Sequence, residues 1–139
     1  MEVLGKMEFE LNDSLTGEGF EKALEEADAL LQRGTRERNL ELLEEARKKY
    51  SLAQLKNPKD VRAWSGAIEA IRHACQIKYA DPVDAAKIRL SLVEMARVRS
   101  AALKIVPEGK ERDALQAHYV QSCKALDALF PPRGKKRTV

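Results

Sequence analysis

Few side chains in this chain of 139 residues are equipped for chemistry: two histidines, two cysteines, and glutamates that recur as adjacent pairs. Glu69 and His73 stand four residues apart, a spacing that brings them together on one helical face, where a solvated pair is the ordinary outcome. A carboxylate-bridged di-metal site in a helical bundle needs a Glu-x-x-His motif on each of two helices. Neither His73 nor His118 follows a glutamate by three residues. His118 and Cys123 would suit zinc or thiol chemistry only with further ligands or an oriented base. Five residues apart, they fall on different sides of a helix. Cys75 and Cys123 form no CxxC and read as small apolar core residues. Glu25-Glu26 and Glu44-Glu45 fall on polar flanks, without the burial that tunes a carboxyl for acid or base work. No glycine-rich phosphate loop, Gly-x-Ser-x-Gly elbow or HExxH helix occurs. The expectation is a protein that is not an enzyme and has no catalytic, cofactor-binding or metal-binding residues.

The elements that would position any site are helices. Apolar residues recur at steps of three and four as Phe20, Leu24, Ala27 and Leu31, then as Leu43, Ala46, Tyr50 and Ala53. Val61, Trp64, Ile68, Ile71 and Cys75 continue the pattern, as do Leu115, Tyr119, Cys123, Leu126 and Phe130. Between these last two lies a stretch with two apolar faces. Ile88, Leu92, Met95 and Ala102 mark one, and Leu90, Val93, Ala101 and Ile105 the other, which predicts a central helix sandwiched by partners. Leu52 and Leu55 similarly widen the second stripe towards a further neighbour. Pro58, Pro82 and Pro107 are expected at first helical positions, with Asn57 and Asp81 as caps for the first two. Gly34 is expected to end the first helix near residue 33. The whole reads as all-α, about five long antiparallel helices in an up-and-down arrangement. An N-terminal arm at 1–15 precedes a helical domain at 16–130, and a basic tail follows at 131–139.

Charge is segregated along the chain. Residues 1–45 hold 5 Lys/Arg against 13 Asp/Glu, whereas residues 46–106 hold 13 against 5. Either these charges compensate within the monomer, or they lie on opposite flanks and steer subunits or an acidic partner together. The exposed cations proposed to meet a partner are Lys56, Lys59 and Arg62 at one turn, with Arg97, Arg99 and Lys104 on the fourth helix. Arg133, Lys135, Lys136 and Arg137 of the tail form a candidate polyanion contact. Aromatic residues do not interleave with the cations as a single-strand binder requires. No apolar run approaches the roughly 20 residues of a membrane span, and the N-terminus lacks a signal-peptide order, so a cytoplasmic protein without membrane contact is expected.

Ala46, Tyr50, Ala53 and Pro58, with Trp64 six residues after the proline, resemble the junction between two tetratricopeptide (TPR) repeats. Small Ala46 and Ala53 would let two helices approach, and Tyr50 would fill the gap between them. The resemblance covers residues 46–64 and implies stacked helical hairpins that hold another protein. The family's carboxylate clamp uses Lys, Arg and Asn on first helices. Here Arg62 alone fits, with Ser65 and Glu69 nearby, so no chaperone co-factor is implied. The expected function is a non-catalytic protein–protein interaction module or small adaptor, binding another protein or itself as an oligomer. The alternative is a nucleic-acid-associated helical protein using the basic middle and tail.

Overall fold

Residues 17–130 are described in a computed structural model, and they form five helices with no extended strand among them. The helices are α1 (Gly17–Glu37), α2 (Leu40–Lys56), α3 (Val61–Tyr79), α4 (Ala85–Leu103) and α5 (Lys110–Asp127). The class is all-α, as the apolar spacing predicts. The arm at 1–15 and the tail at 131–139 lie outside the described residues.

The last three helices start three residues later than expected, at Val61, Ala85 and Lys110 rather than at Pro58, Pro82 and Pro107. Asp60 and Asp84, not Asn57 and Asp81, are the N-caps, accepting from the backbone N–H of Arg62 at 3.0 Å and of Lys87 at 3.2 Å. Pro58 sits in a turn closed by the Asp60 N–H on the Asn57 carbonyl at 3.2 Å, the second turn position for which proline is pre-set. Asn57 instead ends α2, its N–H donating to the Ala53 carbonyl at 2.9 Å. Pro82 likewise precedes its helix within a turn, and Pro107 lies in the irregular segment three residues before α5. Gly34 does not stop α1. A Cβ there would lie 2.9 Å from Leu43 Cγ, so the glycine lets α2 approach. The left-handed residue that ends α1 is Arg38, at φ 51°, and Asn39 caps α2 by accepting from the Leu42 N–H at 3.2 Å.

In three of the successive pairs the helices run antiparallel, as their cross-contacts descend in register. Asp28 meets Tyr50 while Gly34 meets Leu43, so α1 opposes α2. Tyr50 meets Gly66 while Gln54 meets Ala63, so α2 opposes α3. Arg89 lies over Phe130 and Arg99 over Tyr119, so α5 returns along α4.

The centre of the stack is α3, not α4. Its small residues Ala63, Ala67 and Ala70 join the core made by α1 and α2, where Phe20, Leu24, Leu43 and Tyr50 are buried. Its large residues Trp64, Ile68 and Ile71 join a second core with Ile88 and Met95 of α4 and Leu115 and Leu126 of α5. In α4, by contrast, only Ile88, Met95 and Ala102 are buried. Of the second apolar face expected to meet another helix, Ala101 is half-buried against the second core, while Leu90, Val93 and Ile105 are exposed among the described residues. Leu52 and Leu55 of α2 are exposed likewise.

Of the described glycines, Gly66 of α3 has the closest neighbour, because a Cβ there would fall 2.1 Å from Tyr50 Cε1 of α2. Overpacking of this kind costs about 3 kcal/mol. Gly66→Ala should lower the free energy of unfolding by about that amount in urea titration. Because the clash is with the ring, Tyr50→Leu in the same chain should make the double loss smaller than the sum of the single losses by over about 1 kcal/mol.

Candidate interaction surface

The basic residues singled out from sequence separate into three environments. Lys56 and Lys59 stay at the α2–α3 turn. Lys59 borders an open groove of about 550 Å³ that is also lined by Pro107, Glu108 and Lys110. Two of the cations are engaged within the fold, Arg62 while still exposed and Arg99 half-buried. Arg62 donates to Asp60 and to Glu21, each at 2.8 Å, and its guanidinium lies 5.4 Å from the Phe20 ring. Asp60 first and Glu21 second hold its pKa well above the ordinary arginine value. Arg99 lies 4.6 Å over the Tyr119 ring with its Nε buried, and so braces α4 on α5. Arg97 and Lys104 alone of the α4 candidates face outward, where neither has an acidic partner among the described residues.

Sequence reasoning passed over a polar seam between α1 and α3. Tyr50 donates to Asp28 at 2.5 Å, and both line a groove of about 580 Å³ with Arg36, Arg62, Glu69 and His73. Glu69 is half-buried, more enclosed than a solvated pair would be. The His73 imidazole 3.6 Å away first, then His118 on α5 and Arg72, hold its carboxyl below the usual range against the cost of burial. The four-residue spacing of Glu69 and His73 was the available signal, but α1 and α5, which enclose them, lie far away in sequence. No cluster of three metal-ligating side chains is placed to hold an ion among the described residues.

The outer face of α4 has a different character. Leu90, Val93, Arg97, Ser100 and Lys104 are all exposed, and their steps of three and four place them in one stripe. Leu90 keeps 60% of its surface in solvent. Glu94, the only carboxylate in α4, is turned aside to pair with Arg47 of α2. Among the described residues, two apolar side chains followed by two cations without an acidic partner therefore occupy one exposed helical face. The outer face of α2 carries the opposite charge. Glu41, Glu44, Glu45, Leu52 and Leu55 are exposed there on one stripe. No described helix is long and apolar enough to cross a membrane. No known family, curated protein or solved structure matches this chain.

Burial first, and the Asp28 carboxylate second, push the Tyr50 phenol far above its ordinary value. An unfolded chain ionises this phenol as pH passes about 10, whereas the folded chain keeps it neutral. Its contribution to stability is thus complete below about pH 10 and is lost as pH rises further. Thermal melts should show a steeper fall in Tm above that pH for the natural chain than for Tyr50→Phe. The variant should also be less stable at neutral pH by about 1 kcal/mol, the loss of one hydrogen bond.

Proposed function

We propose that this chain is a non-catalytic interaction module of stacked, TPR-like helical hairpins that holds another protein on the outer face of α4. The open stripe of Leu90, Val93, Arg97 and Lys104 carries this reading. Single exposed apolar residues need no explanation, but apolar side chains aligned with unpaired cations on one face form a surface that a complementary partner can dehydrate. An acidic amphipathic helix fits such a face, laying its apolar residues on Leu90 and Val93 and its carboxylates beside Arg97 and Lys104. The TPR-like part of the reading is supported at the junction the sequence singled out: Ala46, Tyr50 and Ala53 are fully buried between α2 and its neighbours. Support also comes from the succession of antiparallel hairpins, in which α3 touches both α1 and α5.

The test is affinity capture from native lysate with nuclease present. Leu90→Glu combined with Val93→Glu should remove the captured proteins while leaving Tm unchanged, because neither side chain lies in a core. An unchanged capture pattern would contradict the assignment.

A second reading, nucleic-acid association, is favoured by the outward placement of Arg97 and Lys104, with the tail cations Arg133, Lys135, Lys136 and Arg137 as further contacts. Each phosphate contacted on a duplex contributes about 0.9 to the slope of log K against log salt. If the tail alone binds, deleting residues 131–139 should abolish duplex binding. If α4 contributes, Arg97→Ala with Lys104→Ala should lower the slope by about two contacts.

A further inference from the structure

We infer that the partner fitting the α4 stripe is the α2 stripe of a second copy of this chain, docked antiparallel. This rests on the interaction reading above and names the occupant of that same face. Along α2, the exposed stripe begins with carboxylates at Glu41, Glu44 and Glu45 and ends with Leu52 and Leu55. Along α4 the order is reversed in character, with Leu90 and Val93 first and Arg97 and Lys104 last. One antiparallel register places Glu41 opposite Lys104, Leu52 opposite Val93, and Leu55 opposite Leu90.

Within that register a single step is unfavourable, Lys48 opposite Arg97. Lys48 already has Glu45 as a neighbour at 3.9 Å, and Glu44 lies one turn away on the same stripe. The alternatives fare worse. A parallel docking sets carboxylates on leucines and cations on leucines. Pairing α4 with α4 brings Arg97 and Lys104 of both copies onto one contact, and pairing α2 with α2 does the same for the carboxylates. Like charges brought together across an interface are strongly disfavoured.

Each copy carries one stripe of each kind, so the contact is heterologous and leaves a free stripe at either end of the pair. A helix-on-helix patch is also small. The α2 stripe from residue 41 to 55 spans about 21 Å at the α-helical rise. Such a patch covers less than the roughly 1,200 Å² total of a stable complex. Association is therefore weak, concentration-dependent and sensitive to salt.

Sedimentation equilibrium of the full chain tests this. At low salt the weight-average mass should rise above the 15.6 kDa monomer with protein concentration. Raising the ionic strength well past about 0.15 M, where charges beyond roughly 8 Å are screened, should weaken association at least about tenfold. Variant R97E/K104E and variant E41K/E44K/E45K should each remain monomeric. Mixed in equal amounts they should associate again, because the natural α2 of the first meets the natural α4 of the second. A natural chain that is monomeric at low salt, or a mixture that stays monomeric, would overturn the inference. Failure here is distinguishable from failure of the interaction reading, because loss of captured proteins in the Leu90→Glu/Val93→Glu variant would still stand with a different partner. If either charge-reversed variant alone associated as well as the natural chain, the α2-on-α4 pairing would be wrong.

Discussion

The stack depends on the contact between Tyr50 and Gly66. The tyrosine ring rests where any other residue of α3 would place a Cβ, and its hydroxyl donates to Asp28 of α1. One side chain thereby ties three helices, and it works only because α3 carries glycine and alanine on that side. The consequence runs through the rest of the molecule. With its small residues committed to α1 and α2, α3 turns Trp64, Ile68 and Ile71 the other way, and these make the second core with α4 and α5. Trp64 also donates its indole N–H to the Pro58 carbonyl at 2.8 Å, which ties that second core back to the α2–α3 turn. Aromatic burial of this kind combines a large apolar area with one satisfied polar tip.

Charge follows from the same arrangement. Folding α1 and α2 onto α3 brings part of the acidic front against the basic middle: Glu26 meets Lys49 at 3.0 Å and Glu21 meets Arg62 at 2.8 Å. Such exposed pairs contribute little individually to stability. Their larger effect is to take cations out of circulation. The basic surplus remaining on α4 is concentrated at its outer face, while Glu41, Glu44 and Glu45 keep the outer face of α2 acidic. Of the two sequence readings of the charge segregation, the Glu26–Lys49 and Glu21–Arg62 pairs supply internal compensation for part of the acidic front.

The helical class and the pairing of Tyr50 with the Ala46/Ala53 seam were legible in sequence because both follow from local spacing. Helix ends were less so. Asn57-Pro58 and Asp81-Pro82 look like cap and first helical residue, yet an aspartate two residues beyond each proline forms the cap and leaves the proline in the turn. Gly34 carries no local mark separating a helix stop from a close approach; Leu43, which decides it, comes from the next helix. Gly66 could have been found from its place among Ala63, Ala67 and Ala70, the small face that Tyr50 requires. The outward face of α4 was misjudged for a different reason. Periodicity reports that Leu90 and Val93 are aligned, but not whether the chain has a further helix to cover them. The stacking of Arg62 on Phe20 and of Arg99 on Tyr119 was equally hidden, because each ring is distant in sequence from its cation.

If the outer faces of α4 and α2 meet each other between copies of the chain, those faces should respond to protein concentration and the cores should not. Amide and methyl NMR spectra of the natural chain, recorded over a dilution series at low salt, address this residue by residue. Signals of Leu52, Leu55, Leu90, Val93 and Arg97 should move with concentration, while those of Phe20, Gly66 and Met95 stay fixed. Shifts confined to the groove residues Arg36, Glu69 and His73 between α1 and α3, or no shifts at all, would contradict it.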